Sequence, residues 1–335
     1  MVRPRVQSPR GDSQTSQQSF VISTQDLGKT YGDVAALSSL NLRVPENSIF
    51  AFLGPNGAGK TTTIKLLVGL TRPTSGSGTV LGYDIVRNSN EVRRGVGYLA
   101  QHPKFYKEMT ARETMRFAAR FYFKGPRDKI EERIEHLLSI VELDEKSDRP
   151  IEGFSGGEVQ RLGIAQAQIN YPELLILDEP AAGLDPEGRE DVLKIMESLR
   201  SESTIFYSTH ILDDVQRVSD TVAILNKGHM IAQAPISQLL AGSEGVAYAL
   251  TLEGNTQKAY ARLSEEPWVT GITEKKVKDK TQWVVTVSDD SMAKKKILRT
   301  VMADDTVDVL DFGLKQYELE EIFMKMVEDS NNVTQ

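Results

Sequence analysis

The sequence predicts an α/β fold, and three observations carry that reading. An apolar run, Ile49-Phe50-Ala51-Phe52-Leu53, leads directly into Gly54-Pro55-Asn56-Gly57-Ala58-Gly59-Lys60-Thr61 and then into the helix-like Thr62-Thr63-Ile64-Lys65-Leu66-Leu67. A second apolar run, Leu174 to Leu177, ends in adjacent carboxylates, Asp178 and Glu179, and a further strand, Thr204 to Thr209, ends in His210. Short apolar runs bounded by turn residues read as buried strands of a parallel sheet. Beyond residue 237 the segments follow the order β-α-β-β-α-β, that of a small α+β, split βαβ-like unit.

The composition sets limits. With 335 residues, 39% hydrophobic and 26% charged, the chain has the balance of a soluble protein with room for two domains. A net charge of -7 argues against a chain-wide nucleic-acid surface, and no nucleic-acid partner is expected. Cysteine is absent, which excludes disulfides, thiolate metal sites and a Cys nucleophile and fits a reducing compartment. No apolar stretch is long enough to span a membrane, so any link to one must run through a partner. Residues 1–19, rich in Ser, Gln and Arg and without an apolar stretch, read as a disordered extension.

Taken in order, Phe20 to Ser23 has strand composition and Leu40 to Val44 alternates with period two. Between them Tyr31 sits where its ring could stack on a base. The loop Gly54 to Thr61 fits G-x-x-x-x-G-K-[ST]. Its glycines let successive N–H groups turn inward toward a phosphate, and the following helix, Thr62 to Leu70, adds the positive end of its dipole. Lys60 then reaches the β- and γ-phosphates, and the Thr61 hydroxyl is a Mg²⁺ ligand. Thr79 to Leu81 and Val96 to Leu99 are further strands, the latter followed by Gln101, placed for a metal or water contact. Helices are expected over Arg112 to Phe123 and Asp128 to Val141, split by Lys124-Gly125-Pro126, which makes a helical lobe. Phe105, Tyr106, Phe117, Phe121, Tyr122 and Phe123 are read as the core of that lobe, with an exposed docking rim as the alternative.

Phe154-Ser155-Gly156-Gly157-Glu158 opens a helix running to Gln168, with Ser155 as N-cap and Glu158 three residues on, a capping box. Two glycines before a helix make a second anion-seeking terminus. Asp178, at the carboxyl end of its buried strand, is placed to hold Mg²⁺, and Glu179 to polarise an attacking water. His210 can donate to a γ-phosphate. Asp213-Asp214-Val215 begins a helix, and Val222 to Leu225 with Lys227 to Ile231 reads as a hairpin.

With these residues in order, the chain resembles the nucleotide-binding subunit of ABC transporters from about Val21 to Ser237. The resemblance implies a P-loop NTPase core with an antiparallel β subdomain and a helical lobe at about 102–165, all within 20–236. It implies ATP and Mg²⁺ as cofactors. Glu179, His210 and Lys60 would be catalytic; Tyr31, Asn56, Gly57, Ala58, Gly59, Lys60, Thr61, Thr62 and Gln101 would hold the nucleotide, and Thr61, Gln101 and Asp178 the metal. It further implies a second ATPase subunit facing the first head to tail, so that Ser155, Gly156, Gly157, Glu158 and Asp185, the last from the loop Gly183-Leu184-Asp185-Pro186, act in trans. Phe154, Glu158, Ala100 and Ala181-Ala182 depart from the commoner Leu, Gln, Pro and Thr-Ser, and none removes a group assigned to chemistry.

For residues 237–329, an accessory domain, the expected elements are strands at Val246–Leu252, Val269–Lys278, Gln282–Ser288 and Val307–Gly313 and helices at Gln257–Leu263, Ala293–Met302 and Tyr317–Val327, before a tail at 330–335. The amphipathic final helix resembles the tail of exporter ATPases. The resemblance thus implies export through separate integral membrane permease subunits, with the chain peripheral on the cytoplasmic face of the cell membrane. A soluble ATPase of DNA repair or translation is the alternative, disfavoured by the short insert between loop and signature, the lack of metal-type cysteines and the single core.

Overall fold

The computed structural model describes residues 19–240, 246–303, 306–315, 319, 320, 322–324 and 326. They divide into two compact units between Ile236 and Ser237.

The first unit is built on a six-stranded sheet in the order His229–Pro235, Thr221–Asn226, Ile49–Leu53, Thr204–Thr209, Leu174–Asp178, Val96–Leu99. The last five are parallel, and His229–Pro235 pairs antiparallel at one edge. Every residue of Ile49–Leu53, Leu174–Asp178 and Thr204–Thr209 is buried. That two-sided burial is why these strands are apolar runs and not alternating ones. A second, antiparallel sheet runs Val34–Leu40, Phe20–Tyr31, Ser75–Val80, Tyr83–Asp84, with Arg43–Pro45 also paired to Phe20–Tyr31. One apolar core draws on both sheets and on the helix Lys60–Leu67, with Phe206 5.7 Å from Phe50 and 5.4 Å from Phe52 between ring centres.

Local chemistry moves some boundaries. The alternation at Leu40–Val44 does not make one strand: Ser39 takes a φ of 45° and the Asn41 side chain accepts from the Asp26 amide, so Val34–Leu40 and Arg43–Pro45 separate. In the lobe, the helix Ala111–Ala119 opens with a capping box between Thr110 and Glu113. It stops short of Phe123, in a turn where Phe121 donates to the Ala118 carbonyl at 3.2 Å and Phe123 to that of Ala119 at 2.9 Å. The helices Arg127–Ile140 and Gly156–Ala167 complete the lobe. Phe105 and Phe123 are half-buried, but the other four aromatic residues correct the expectation of a lobe core. Phe121 is 73% and Tyr106 66% exposed, and Phe117 and Tyr122 are exposed as well, because Met115, Ile134, Leu137 and Leu138 fill the interior instead. Tyr106, Phe117 and Phe121 stand edge to face in a row on the surface.

The second unit is a four-stranded antiparallel sheet in the order Val269–Val277, Lys280–Val287, Val246–Gly254, Val307–Leu314. Its helices are Gln257–Ser264 and Asp290–Val301. Trp283, Leu250, Leu252, Val285, Ala259, Leu263 and Ile297 form its core. Of the helix expected at Tyr317–Val327, Leu319, Glu320, Ile322, Phe323, Met324 and Met326 are described and helical; its other residues, residues 1–18 of the N-terminal extension and the tail lie outside the described residues. Among the described residues no helix is long and apolar enough to cross a membrane.

Candidate active site

The central strand Ile49–Leu53 delivers the glycine loop to the carboxyl edge of the parallel sheet. Two glycines there are dictated by geometry. A Cβ on Gly54 would lie 2.3 Å from the Leu225 carbonyl oxygen. Gly59 has a φ of 109° and its Cβ would meet the Ala36 carbonyl at 2.6 Å. The chain then turns into Lys60–Leu67, and Gly59 offers no side-chain cap. The first amides of that helix therefore face outward as donors, as an anion site requires.

Lys60, 5% exposed, points back into this edge. Its ammonium donates to the carbonyls of Gly54 at 2.6 Å and Pro55 at 3.2 Å and pairs with Glu179 at 3.0 Å. The other oxygen of Glu179 lies 2.9 Å from Nδ1 of His210. Glu179 itself is 4% exposed and sits at a φ of 51°, a left-handed conformation that a glutamate adopts only when its surroundings hold it there. The Glu179 amide donates to Ser208 Oγ at 2.9 Å, and that hydroxyl donates to Asp178 at 2.7 Å. Thr61 Oγ1 donates to the same Asp178 oxygen at 3.2 Å. Asp178 is thus buried with hydroxyl partners, and no cation pairs with it among the described residues. Burial, and then the Asp178 charge, push the neighbouring Tyr98 phenol above its ordinary range.

The structure therefore brings Lys60, Thr61, Asp178, Glu179 and His210 into one cluster, with Asn56, Gly57, Ala58 and Thr62 on the loop and helix start around it. Gln101 is exposed just past Val96–Leu99, at the same sheet end as Asp178, since Leu99 pairs with Leu177. Tyr31 ends its strand half-exposed, with the Lys29 ammonium 4.9 Å from its ring centre. Ser155, Gly156, Gly157 and Glu158 make no contact with this cluster among the described residues. Ser155 caps Gly156–Ala167, and Glu158 is almost buried, accepting from the Ser155 amide at 2.7 Å and from Lys146. A Cβ on Gly156 would meet nothing within 4 Å, and on Gly157 only Ser155 Oγ at 4.0 Å. Nothing among the described residues asks for glycine at either position. Asp185 caps Pro186–Leu199 by accepting from the Gly188 amide at 2.9 Å.

Sequence reasoning missed two groups. Ser208 is one: its place opposite Asp178 comes from strand register, which the chain alone does not display. The other is Asp214, buried against Arg189 and held above the ordinary carboxylate range by burial, with the Arg189 bond opposing. Its only signal was its place four residues after His210.

A phosphate loop, a buried Asp at the end of the neighbouring strand and a carboxylate set between a lysine and a histidine define a P-loop NTPase. Comparison with known proteins narrows this. Residues 37–182 match the ABC transporter family model. The chain is 36% identical over 307 residues to YxlF, an uncharacterized ABC transporter ATP-binding protein of Bacillus subtilis, covering 92% of this chain and 99% of that one. It is 41% identical over 223 residues to the bacitracin transport ATP-binding protein BcrA of Bacillus licheniformis, covering 66% of this chain and 72% of that one. A solved structure of an ATP binding subunit of an ABC transporter superposes with a TM-score of 0.59 at 31% identity, over 65% of this chain and 91% of that chain. The chain belongs to the ATP-binding subunits of ABC transporters, and it is an ATPase of that family.

Proposed function

We propose that two copies of this subunit, or this subunit and a similar one, close head to tail around two ATP molecules and drive export through membrane permease subunits. The observation that carries the reading is the pair of glycines at 156 and 157. They leave open space at a capped helix start that has no business with its own chain's cluster, so the ligand lies outside the chain.

In this reading the loop amides of Asn56 to Thr62 hold the phosphates, Tyr31 stacks on the base, and Lys60 exchanges Glu179 for the β- and γ-phosphates. Glu179, kept in place by His210 and by its strained backbone, takes the proton of the attacking water, and His210 turns its other ring nitrogen to the γ-phosphate. Ser155, Gly156 and Gly157 of the second subunit close the site, with Glu158 bracing Ser155 and Asp185 beside them. Thr61 and Asp178, with Gln101, would hold Mg²⁺: a buried carboxylate with only hydroxyl partners suits a hard cation whose shell water and phosphate complete. Bound there, the metal would neutralise charge on the transferring phosphoryl group.

The permease contact we assign to the cleft of about 390 Å³ between lobe and sheet, lined by Leu70, Phe105, Phe117, Phe121 and Tyr122. Exposed aromatic side chains beside Gln101 suit a helix of a membrane partner. The chain would then lie peripherally on the cytoplasmic face. A relative in Rhizobium etli named as a Nod factor export ATP-binding protein, 37% identical over 213 residues, supports the export direction. Nothing in the fold or the family match favours DNA repair or translation.

The test is Ser155→Arg, which fills the open space at the helix start. It should leave ATP binding to a single chain intact and abolish hydrolysis. Hydrolysis at the wild-type rate would overturn the composite site.

A further inference from the structure

At the far end of the helix that Ser155 opens lies a polar node built on the buried side chains of Arg133, Gln168 and Ser203. Arg133, on the lobe helix Arg127–Ile140, is 5% exposed. Its guanidinium donates to the Gln168 carbonyl at 2.9 Å and to Glu202 at 3.1 Å. It stacks on the Tyr171 ring at 3.8 Å, and its Nε is buried without a hydrogen-bond partner. Gln168, the C-cap of Gly156–Ala167, is fully buried and donates to Glu202 at 3.3 Å and to Ser203 at 3.2 Å. Ser203 donates to the Pro172 carbonyl at 2.6 Å. His136 completes the group, its Nε2 3.3 Å from Glu202.

Two features show that this node is more than filling. Arg133 is buried while Glu202 keeps 29% of its side chain exposed, so desolvation of the guanidinium and water at the carboxylate both oppose the attraction and the pair adds little net stability. What such a pair does supply is one fixed geometry. Tyr171 also has a φ of 51°, rare for a bulky side chain, and the Arg133 stack holds the far side of that turn.

The node also sits at a mechanical junction. Pro172 lies two residues before the strand Leu174–Asp178 and Ser203 directly before Thr204–Thr209, strands whose opposite ends carry Asp178, Glu179 and His210. The twelve residues of Gly156–Ala167 span ~18 Å, so a tilt of ~5° about the Gln168 end displaces Ser155 by ~1.5 Å. Catalytic geometry is sensitive to displacements of about 1 Å.

We propose that Arg133 is a positioning residue: together with Glu202 it locks the angle between the Ser155 helix and the two catalytic strands. It thereby sets where Ser155, Gly156 and Gly157 meet the partner-held ATP. This inference rests on the composite-site reading above. Arg133 touches no nucleotide, and its effect runs wholly through the helix.

The experiment compares Arg133→Lys and the double variant Arg133→Met/Glu202→Met with wild type and with Ser155→Arg. Lysine can reach Gln168 or Glu202 but cannot bond both and stack; the methionine pair fills the volume without charge. Thermal melting should show both variants folded, and equilibrium binding should show single-chain ATP affinity within about twofold of wild type. The kcat of ATP hydrolysis should fall about tenfold or more in each, and ATP-driven dimerisation, read in a Glu179→Gln background, should weaken in parallel. If either variant folds and keeps wild-type kcat and dimerisation while Ser155→Arg abolishes both, Arg133 is packing only and the proposal is overturned. If Ser155→Arg itself leaves hydrolysis and dimerisation intact, the composite-site reading has failed instead.

Discussion

Lys60 and Glu179 form an ion pair of 3.0 Å with both side chains at most 5% exposed. In the proposed mechanism this lysine binds phosphate and this carboxylate activates water, yet here the two neutralise each other. On that proposal ATP would separate the two before either acts.

Glu179→Gln should accordingly bind ATP at least as tightly as wild type, since a negative charge beside the γ-phosphate is gone. Hydrolysis should fall about 100-fold or more, the usual range for removing a general base. Equilibrium nucleotide binding and single-turnover hydrolysis check both halves. Weaker ATP binding with hydrolysis retained would contradict the roles given to the pair.

Ser208→Ala removes a donor to Asp178 and leaves the buried Glu179 amide without its acceptor. Orphaning a buried polar group costs about 1–3 kcal/mol. Urea unfolding should show a loss of that size, and kcat should drop because Asp178 and Glu179 both lose their reference point.

Gly59→Ala and Gly156→Ala should separate structural from functional glycine. At Gly59 the φ of 109° and the Ala36 carbonyl make alanine strained, so stability falls by more than ~1 kcal/mol. At Gly156 nothing crowds a Cβ, and alanine favours the helix, so stability should be unchanged or slightly raised while hydrolysis falls. Thermal melts beside ATPase rates distinguish the two.

The node at Glu202 predicts a pH dependence. Burial pushes its carboxyl up, but Arg133 and, less strongly, His136 and Gln168 outweigh that and hold it below the usual value of 4.5. A lowered folded-state value means that its contribution is complete above about pH 4.5 and is lost as pH falls through the lowered value. Urea unfolding as a function of pH should therefore show wild type losing stability relative to Glu202→Gln only on the acid side. Parallel curves throughout would contradict it.

The fold was legible where physics is local. Unbroken apolar runs marked the parallel strands, and the β-α-β-β-α-β order marked the second unit. The members of the Lys60 cluster were legible because a glycine loop and strand-end carboxylates leave a pattern in the chain. Their partners were not: Ser208 matters only because strand register sets it against Asp178, and Lys146 meets Glu158 only after the turn between them folds. The aromatic residues from Tyr106 to Tyr122 look like core by composition. Aliphatic side chains of the lobe occupy that interior first, and composition alone cannot tell which apolar residues are left outside.

Head-to-tail closure would set the Gly54–Thr61 loop of one subunit against Ser155–Gly157 of another. Because the sequence contains no cysteine, single thiols can be placed freely. Asn56→Cys and Gly156→Cys, each in a Glu179→Gln background, should be mixed with a short thiol crosslinker. With ATP, crosslinks should join the two different variants, and without nucleotide none should form. Crosslinks that ignore ATP, or that join only identical variants, would contradict it.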